Sequence, residues 1–359
     1  MKSIYKITFL FLFFPLITVA NLTEKKQEKS KIIKKEYLVD KNAKVSLENK
    51  YGNLNITTWD KNRVEIEVTI IIKGDDLDSV RDKLESIDIV FEASNNFVSA
   101  KTLFEKEKSS WSFWGKNSNL NYEINYSVKM PKTNSLDLDN KYGSIYVSNL
   151  TGNANIKCDY GKISVGELLG DTNIIRLDYC SSSHITYISN GTINVDYSKI
   201  TIEKAKELKV NMDYSTLNID RIESINFNAD YGAITIDEAT NIDGNSDYVS
   251  MRFGTIKKNL TIDTDYGAIS VKRLAKGFES IQIDGQYAGI KIGVDADTVF
   301  DFTLDLQYAS FKSNENNIEF FKKITKSSKK YYEGKFGKGN SNSTIKIRSQ
   351  YGGVSITEN

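Results

Sequence analysis

The tripeptide Asp159-Tyr160-Gly161 recurs, and that recurrence limits the possible folds more than any other feature. A tyrosine register starting at Lys141-Tyr142-Gly143 returns at Tyr160, Tyr179, Tyr197, Tyr214, Tyr231, Tyr248, Tyr266, Tyr287 and Tyr308, at intervals of 17 to 21 residues, with outliers at Tyr51 and Tyr351. A typical copy is Ile156-Lys157-Cys158-Asp159-Tyr160-Gly161-Lys162-Ile163-Ser164-Val165. A short fixed period marks a repeat architecture, because one such unit cannot bury its apolar face without neighbours.

Side-chain parity gives the shape of the unit. The residues four and two before the tyrosine share a strand face with it, whereas the Ile and Val three and five after it fall on the opposite face. A bend at the residue after tyrosine, glycine in several copies, brings both groups inward. The expected corner therefore has tyrosine inside, aspartate outside and glycine at the bend. Stacked at about 4.8 Å, such units predict an all-β fold, a parallel β-helix or solenoid of 17–21-residue rungs. A series of antiparallel hairpins remains the other local reading. A β-propeller would need blades of about 40 residues, longer than this period.

The flanks differ. Lys2 and Lys6 precede an apolar run from Ile7 to Ile17 that closes on Thr18-Val19-Ala20, the pattern of a signal peptide over 1–20. The run is too short to cross a bilayer comfortably, so export without a transmembrane anchor is expected. Residues 21–36, dense in Lys and Glu, read as a flexible lead-in. Residues 37–131 read as a mixed α+β N-terminal cap region. It holds the alternating strand Val64-Glu65-Ile66-Glu67-Val68-Thr69-Ile70 and one helix capped by Asp75 or Asp76, with Leu77, Val80, Leu84 and Ile87 on one face. The repeats occupy 132–311. Residues 312–359 form a C-terminal cap, with Lys-rich strands at Ile318 to Ile324 and Lys329 to Phe336 and a last template copy from Ile345 to Ile356.

Chemistry is sparse. The net charge of +1 gives no reason to expect nucleic acid. The only histidine, His184, stands beside Ser181, Ser182 and Ser183, but adjacency is not triad geometry, and a zinc site lacks companions. No catalytic, cofactor-binding or metal residue is assigned, and no cofactor. The column Asp159, Asp178, Asp196, Asp213, Asp230, Asp247 and Asp265 either bonds turn backbone and faces water or holds Ca²⁺ between rungs; no calcium-loop pattern supports the second. Trp111, Phe113 and Trp114 either fill the core or make an exposed platform for a sugar or partner. Asn55, Asn149 and Asn259 match the Asn glycosylation pattern. Cys158 and Cys180 fall in different registers of neighbouring repeats, so stacking alone does not put them in disulfide reach, and Cys158 is placed in the interior.

The repeated Asp-Tyr-Gly-x-Ile-x-Val unit, with the opening segment from Asn49-Lys50-Tyr51-Gly52 to Trp59-Asp60-Lys61-Asn62, resembles the putative adhesin family of exported bacterial β-helical proteins (domain of unknown function 4097, Bacteroidetes type). The resemblance covers most of 37–359. It implies a non-catalytic cell-envelope scaffold, periplasmic, surface-associated or secreted, that binds glycan or an envelope protein through a sheet face. It supplies no binding residues. A carbohydrate-active β-helix enzyme, lyase or hydrolase, is the competing expectation, and it would need carboxylates grouped in one groove.

Overall fold

The computed structural model describes residues 26–104 and 119–359. The expected signal peptide and the Trp111 platform lie outside the described residues. The rest is almost entirely β: its strands join in one 23-stranded sheet, with the helix Leu77–Glu85 beside it.

The corner differs from the expected one in a single respect that changes its meaning. Twelve tyrosines, Tyr51 and then Tyr142 through Tyr351 in the register above, have φ between 45° and 65°. The left-handed bend is therefore at the tyrosine, not at the residue after it. One left-handed residue reverses strand parity, so Ile193 and Val195 before Tyr197 and Ser198, Ile200 and Ile202 after it are all buried. The tyrosine side chain consequently points outward: eleven of the twelve are 43–58% exposed. Glycine after tyrosine has a different task. A Cβ at residue 161 would lie 2.0 Å from the Gly143 carbonyl oxygen, and one at residue 143 would lie 1.8 Å from that of Gly52. Glycine there permits close approach of rungs.

Two interactions offset the left-handed cost of roughly 1–2 kcal/mol. The tyrosine N–H donates to the next rung, as from Tyr160 to the Asp178 carbonyl at 2.9 Å. The rings also stack on one another with centroids 4.7–5.2 Å apart and planes within 22°. Aromatic pairs contribute about 0.5–1.5 kcal/mol each beyond burial, and an interior ring of the ladder has two.

Copies pair in parallel. Ala154–Asp159 lies between Ser135–Lys141 and Asn173–Asp178, while Ile163–Leu168 lies between Ile145–Val147 and Ser183–Asp196. Each copy thus contributes one strand to each of two walls that meet at the tyrosine corner. The stretch Lys199–Asp265 is continuous strand over 67 residues, which as a straight strand would span roughly 220 Å. It is instead several rungs whose corners are too tight to interrupt the ladder. Its pairing with Ser183–Asp196 keeps one register from Ile188↔Ala205 to Asn190↔Glu207 and Gly191↔Leu208, around a corner.

Each end carries a non-repeating closure. At the first, Lys44–Lys50 lies between Ser135–Lys141 and Phe97–Phe104, and Leu54–Trp59 between Ile145–Val147 and Asn121–Pro131. The helix starts where Asp76 accepts from the Ser79 N–H at 2.9 Å and buries Val80. The expected flexible lead-in, residues 21–36, overlaps the strand Gln27–Leu38, which runs antiparallel to Arg63–Gly74. Its side chains are almost all exposed, so backbone pairing holds it. The cross-strand ion pairs Lys34–Glu67 (2.8 Å) and Glu28–Lys73 (3.0 Å) are too exposed to add much.

At the other end, Lys329–Phe336 covers Phe300–Gln307 antiparallel, and Ile318–Thr325 forms the edge. The last template copy does not sit outermost. Thr344–Gln350 inserts in parallel between Ser280–Gln286 and Phe300–Gln307.

Candidate functional surface

Three outward features follow from this corner geometry. The first is the tyrosine ladder, an aromatic stripe roughly 50 Å long at the strand spacing. Stacking occupies the ring faces, leaving ring edges and hydroxyls toward solvent. At its first end Tyr51 meets Tyr122 edge-on at 4.7 Å, above a hollow of about 580 Å³ lined by Tyr51, Leu120, Tyr122 and Tyr142.

The second is the aspartate file beside the ladder. Desolvation pushes the Asp196 carboxyl above the usual aspartate range, and the neighbouring charges of Asp178 and Asp213 add to the shift. Asp265 is raised in the same way, by desolvation and then by Asp247 and Asp263. Like charges one rung apart therefore strain one another. Lys157 relieves this at one end, 3.5 Å from Asp159 and 3.3 Å from Asp139. Among the described residues no three His, Cys, Asp or Glu side chains gather into a metal-binding group.

The third feature is a groove of about 890 Å³ at the corner opposite the tyrosines. Its origin is a run of short returns. Between buried Ile188 and Gly191 stand only Ser189-Asn190, and the next corners are Lys206-Glu207, Glu223-Ser224 and Thr240-Asn241. The flanking returns are longer, Leu169-Gly170-Asp171-Thr172 on one side and Lys257-Lys258-Asn259 on the other. Four shallow corners between taller ones make a saddle across the stack.

The groove surface is largely apolar, from Ile174, Leu208, Ile225 and Ile242, and is set with amides and hydroxyls such as Asn190, Thr192, Ser224, Asn226, Asn241 and Thr261. Several are tied side by side. Asn241 Nδ2 donates to Ser224 Oγ at 3.1 Å, Asn259 to Asn241 at 3.0 Å, and Asn226 to Asp243 at 3.2 Å. On the adjoining wall a second amide file runs from Asn245 to Asn228, Asn211 and Asn194, at 3.3, 3.4 and 2.9 Å. Such ladders fix the amides while leaving lone pairs and N–H groups toward solvent. Asp171, Glu207 and Asp243 outnumber Lys209 among the lining charges, so the groove wall is mildly acidic, with Lys206, Lys257 and Lys258 on the corners around it.

Other residues singled out in the sequence are engaged elsewhere. His184 Nε2 lies 3.0 Å from Glu203 Oε1, and buried Ser183 accepts from the Ile163 N–H at 3.2 Å, so the serine run and the histidine are not assembled as a triad. Asn149 accepts from the Glu167 N–H, and Asn259 is held by Asn241 and Glu279. Cys158 and Cys180 are both buried. The groove was missed at the sequence level. Its available signal was the run of shortest intervals, Tyr197 to Tyr214 to Tyr231 to Tyr248, with polar dipeptides at each return.

Comparison with known proteins adds little. No family model matches the chain, and no curated protein does. Among solved structures, the chain is similar to a putative adhesin from Parabacteroides distasonis (11% identity, covering 92% of this chain and 97% of that one, TM-score 0.31). It is also similar to a putative adhesin from Bacteroides fragilis (12%, 92% and 97%, TM-score 0.29) and to a putative lipid binding protein from Parabacteroides distasonis (13%, 73% and 93%, TM-score 0.29). Superpositions this loose decide neither the fold nor the function of this chain.

Proposed function

We propose that the protein is an exported, non-catalytic β-solenoid scaffold of the cell envelope, of the putative adhesin type, that holds a neutral glycan chain along the saddle between Asp171 and Thr261. The observation that carries this reading is the groove itself: a mildly acidic channel crossing successive rungs, its largely apolar surface set with fixed amides and hydroxyls. A hydroxyl-rich polymer can exchange its water for such donors and acceptors without burying charge, whereas an anionic polymer meets Asp171, Glu207 and Asp243. The competing enzyme reading calls for a carboxylate pair with separated proton affinities in one cleft. The raised carboxylates, Asp196 and Asp265, stand in the outward corner file and do not line the groove.

The test is retention of neutral and acidic glycans and of envelope extracts on the immobilised chain. Asn241→Trp fills the groove, and Tyr214→Ala marks the ladder. Selective retention of neutral glycan, lost in Asn241→Trp and kept in Tyr214→Ala, is the expected result. Absence of specific retention, or equal retention by Asn241→Trp, overturns the groove assignment.

A further inference from the structure

The position after each corner tyrosine has a recurring job. Ser198 Oγ donates to the Asp196 carbonyl at 2.7 Å and approaches that of Leu177, one rung back, at 3.4 Å. Ser215 repeats this with Asp213 at 2.7 Å and Val195 at 2.9 Å. Cys180 does the same with sulfur: its Sγ lies 3.4 Å from the Asp178 carbonyl and 3.1 Å from that of Cys158. The inward side chain after one corner thus sits over the residue two before the corner of the preceding rung. In this one place both residues are cysteines, and the chain has only two.

We propose that Cys158 and Cys180 are a disulfide-forming pair that staples the rung of Tyr160 to the rung of Tyr179. Both side chains face the interior, at 0% and 1% exposure, on rungs whose strands pair directly through Cys158↔Leu177 and Asp159↔Asp178. A Cβ at Gly161, the residue after Tyr160, would lie 3.1 Å from Cys158 Sγ, and Cys180 holds the same place after Tyr179 one rung on, so the two sulfur-bearing side chains share one interior site. The left-handed turn at Tyr179 directs the following residue inward, so Cys180 faces the interior beside Cys158 although the two hold different registers.

The pair is also chemically unequal. The mutual influence of the neighbouring thiols holds Cys180 below the usual thiol range and, with burial, pushes Cys158 above it. One thiolate of the pair displaces one sulfur of an oxidant disulfide, releasing a thiolate and leaving a mixed disulfide. The other cysteine then gives up its proton and attacks the protein sulfur of that mixed disulfide, displacing the second oxidant sulfur. Two protein S–H bonds are replaced by one S–S bond, and the oxidant leaves as two thiols. Burial means that the exchange belongs to folding, before the corner closes, or to its local opening. The exported reading supplies only the natural source of the oxidant; the pair itself rests on the corner geometry.

The experiment refolds the full chain from denaturant in an oxidised/reduced glutathione buffer and then alkylates it with iodoacetamide under denaturing conditions. The expected result is a monomer lacking two hydrogens, with no alkylated cysteine and a cross-linked peptide joining residues 158 and 180. Reduction should return both thiols and lower Tm by about 5 °C, to the value of Cys180→Ser, which keeps the bonds that Ser198 makes in the next rung. Two alkylated thiols in a folded chain, or disulfides only between chains, overturn the proposal. Failure of glycan retention leaves this outcome untouched, so the two readings fail separately.

Discussion

Tyr351 lies flat on Tyr287 at 4.8 Å and, on its other face, on Tyr308 at 5.0 Å, although the chain reaches it last. The final repeat copy has threaded between two rungs that are consecutive in sequence. Ile345, Ile347, Val354 and Ile356 enter the core there, at about 1.5–3 kcal/mol each when fully buried.

Deleting residues 343–359 should therefore not trim an end but open a slot. The strands Ser280–Gln286 and Phe300–Gln307 would each lose a paired neighbour, exposing two edges. The expected outcome is loss of soluble monomer on size-exclusion chromatography. Ile347→Ala, which keeps the strand, should cost about 2–5 kcal/mol in a denaturant titration and leave the protein monomeric.

At Tyr214, φ is 45° and the ring stacks on Tyr197 and Tyr231 at 5.0 and 4.7 Å. Tyr214→Gly removes two aromatic contacts but also the left-handed strain, so its net cost should be small, about 0–2 kcal/mol. Tyr214→Val loses the same contacts and places a β-branched residue in a conformation it resists, so it should be the worst of a Gly, Asn, Ala and Val series. Urea midpoints across the series check the order. Equal costs for Gly and Val would show that backbone strain at this corner is unimportant.

The same corner shows how much was legible in the sequence. Periodicity located every tyrosine, and parity required a corner near Tyr214. Parity could not say which residue turns, because glycine is the usual left-handed residue and tyrosine is not; the outward ladder that favours tyrosine exists only once rungs stack. The strand Gln27–Leu38 was illegible for a related reason: its exposed Lys and Glu resemble those of an unpaired segment, and only the edge of Arg63–Gly74 makes it a strand. The groove beside Asn241 comes from differences in return length among neighbours, a relation between copies that no single copy contains.

Asp196 carries a pH signature. Its folded pKa is raised by burial and by Asp178 and Asp213, so between the ordinary value of 3.8 and the raised one the native state binds more protons than the unfolded state. Stability should fall as pH rises through that window and stay lower above it. Asp196→Asn should remove this slope and stabilise the neutral-pH protein by roughly a few tenths of a kcal/mol, since water screens the site, with the gain shrinking in salt. Thermal melts at acidic and neutral pH check the sign. Destabilisation by Asp196→Asn at neutral pH would mean that the carboxylate serves the turn more than repulsion harms it.

Ser215 tests the inner hydrogen-bond chain of the corner. Its Oγ accepts from the Ser198 N–H at 3.0 Å while donating to the Asp213 carbonyl, and Ser198 Oγ in turn accepts from the Cys180 N–H at 2.7 Å. Ser215→Ala leaves the buried Ser198 N–H without this acceptor, which should cost about 1–3 kcal/mol. Ser215→Cys restores a sulfur acceptor at the same point, the place Cys180 holds two corners earlier, and should recover much of the loss. Native-state hydrogen exchange gives the local reading: the Ser198 amide should lose protection in Ser215→Ala and regain it in Ser215→Cys. Unchanged protection in both would place the strength of the corner in the outer tyrosine ladder instead.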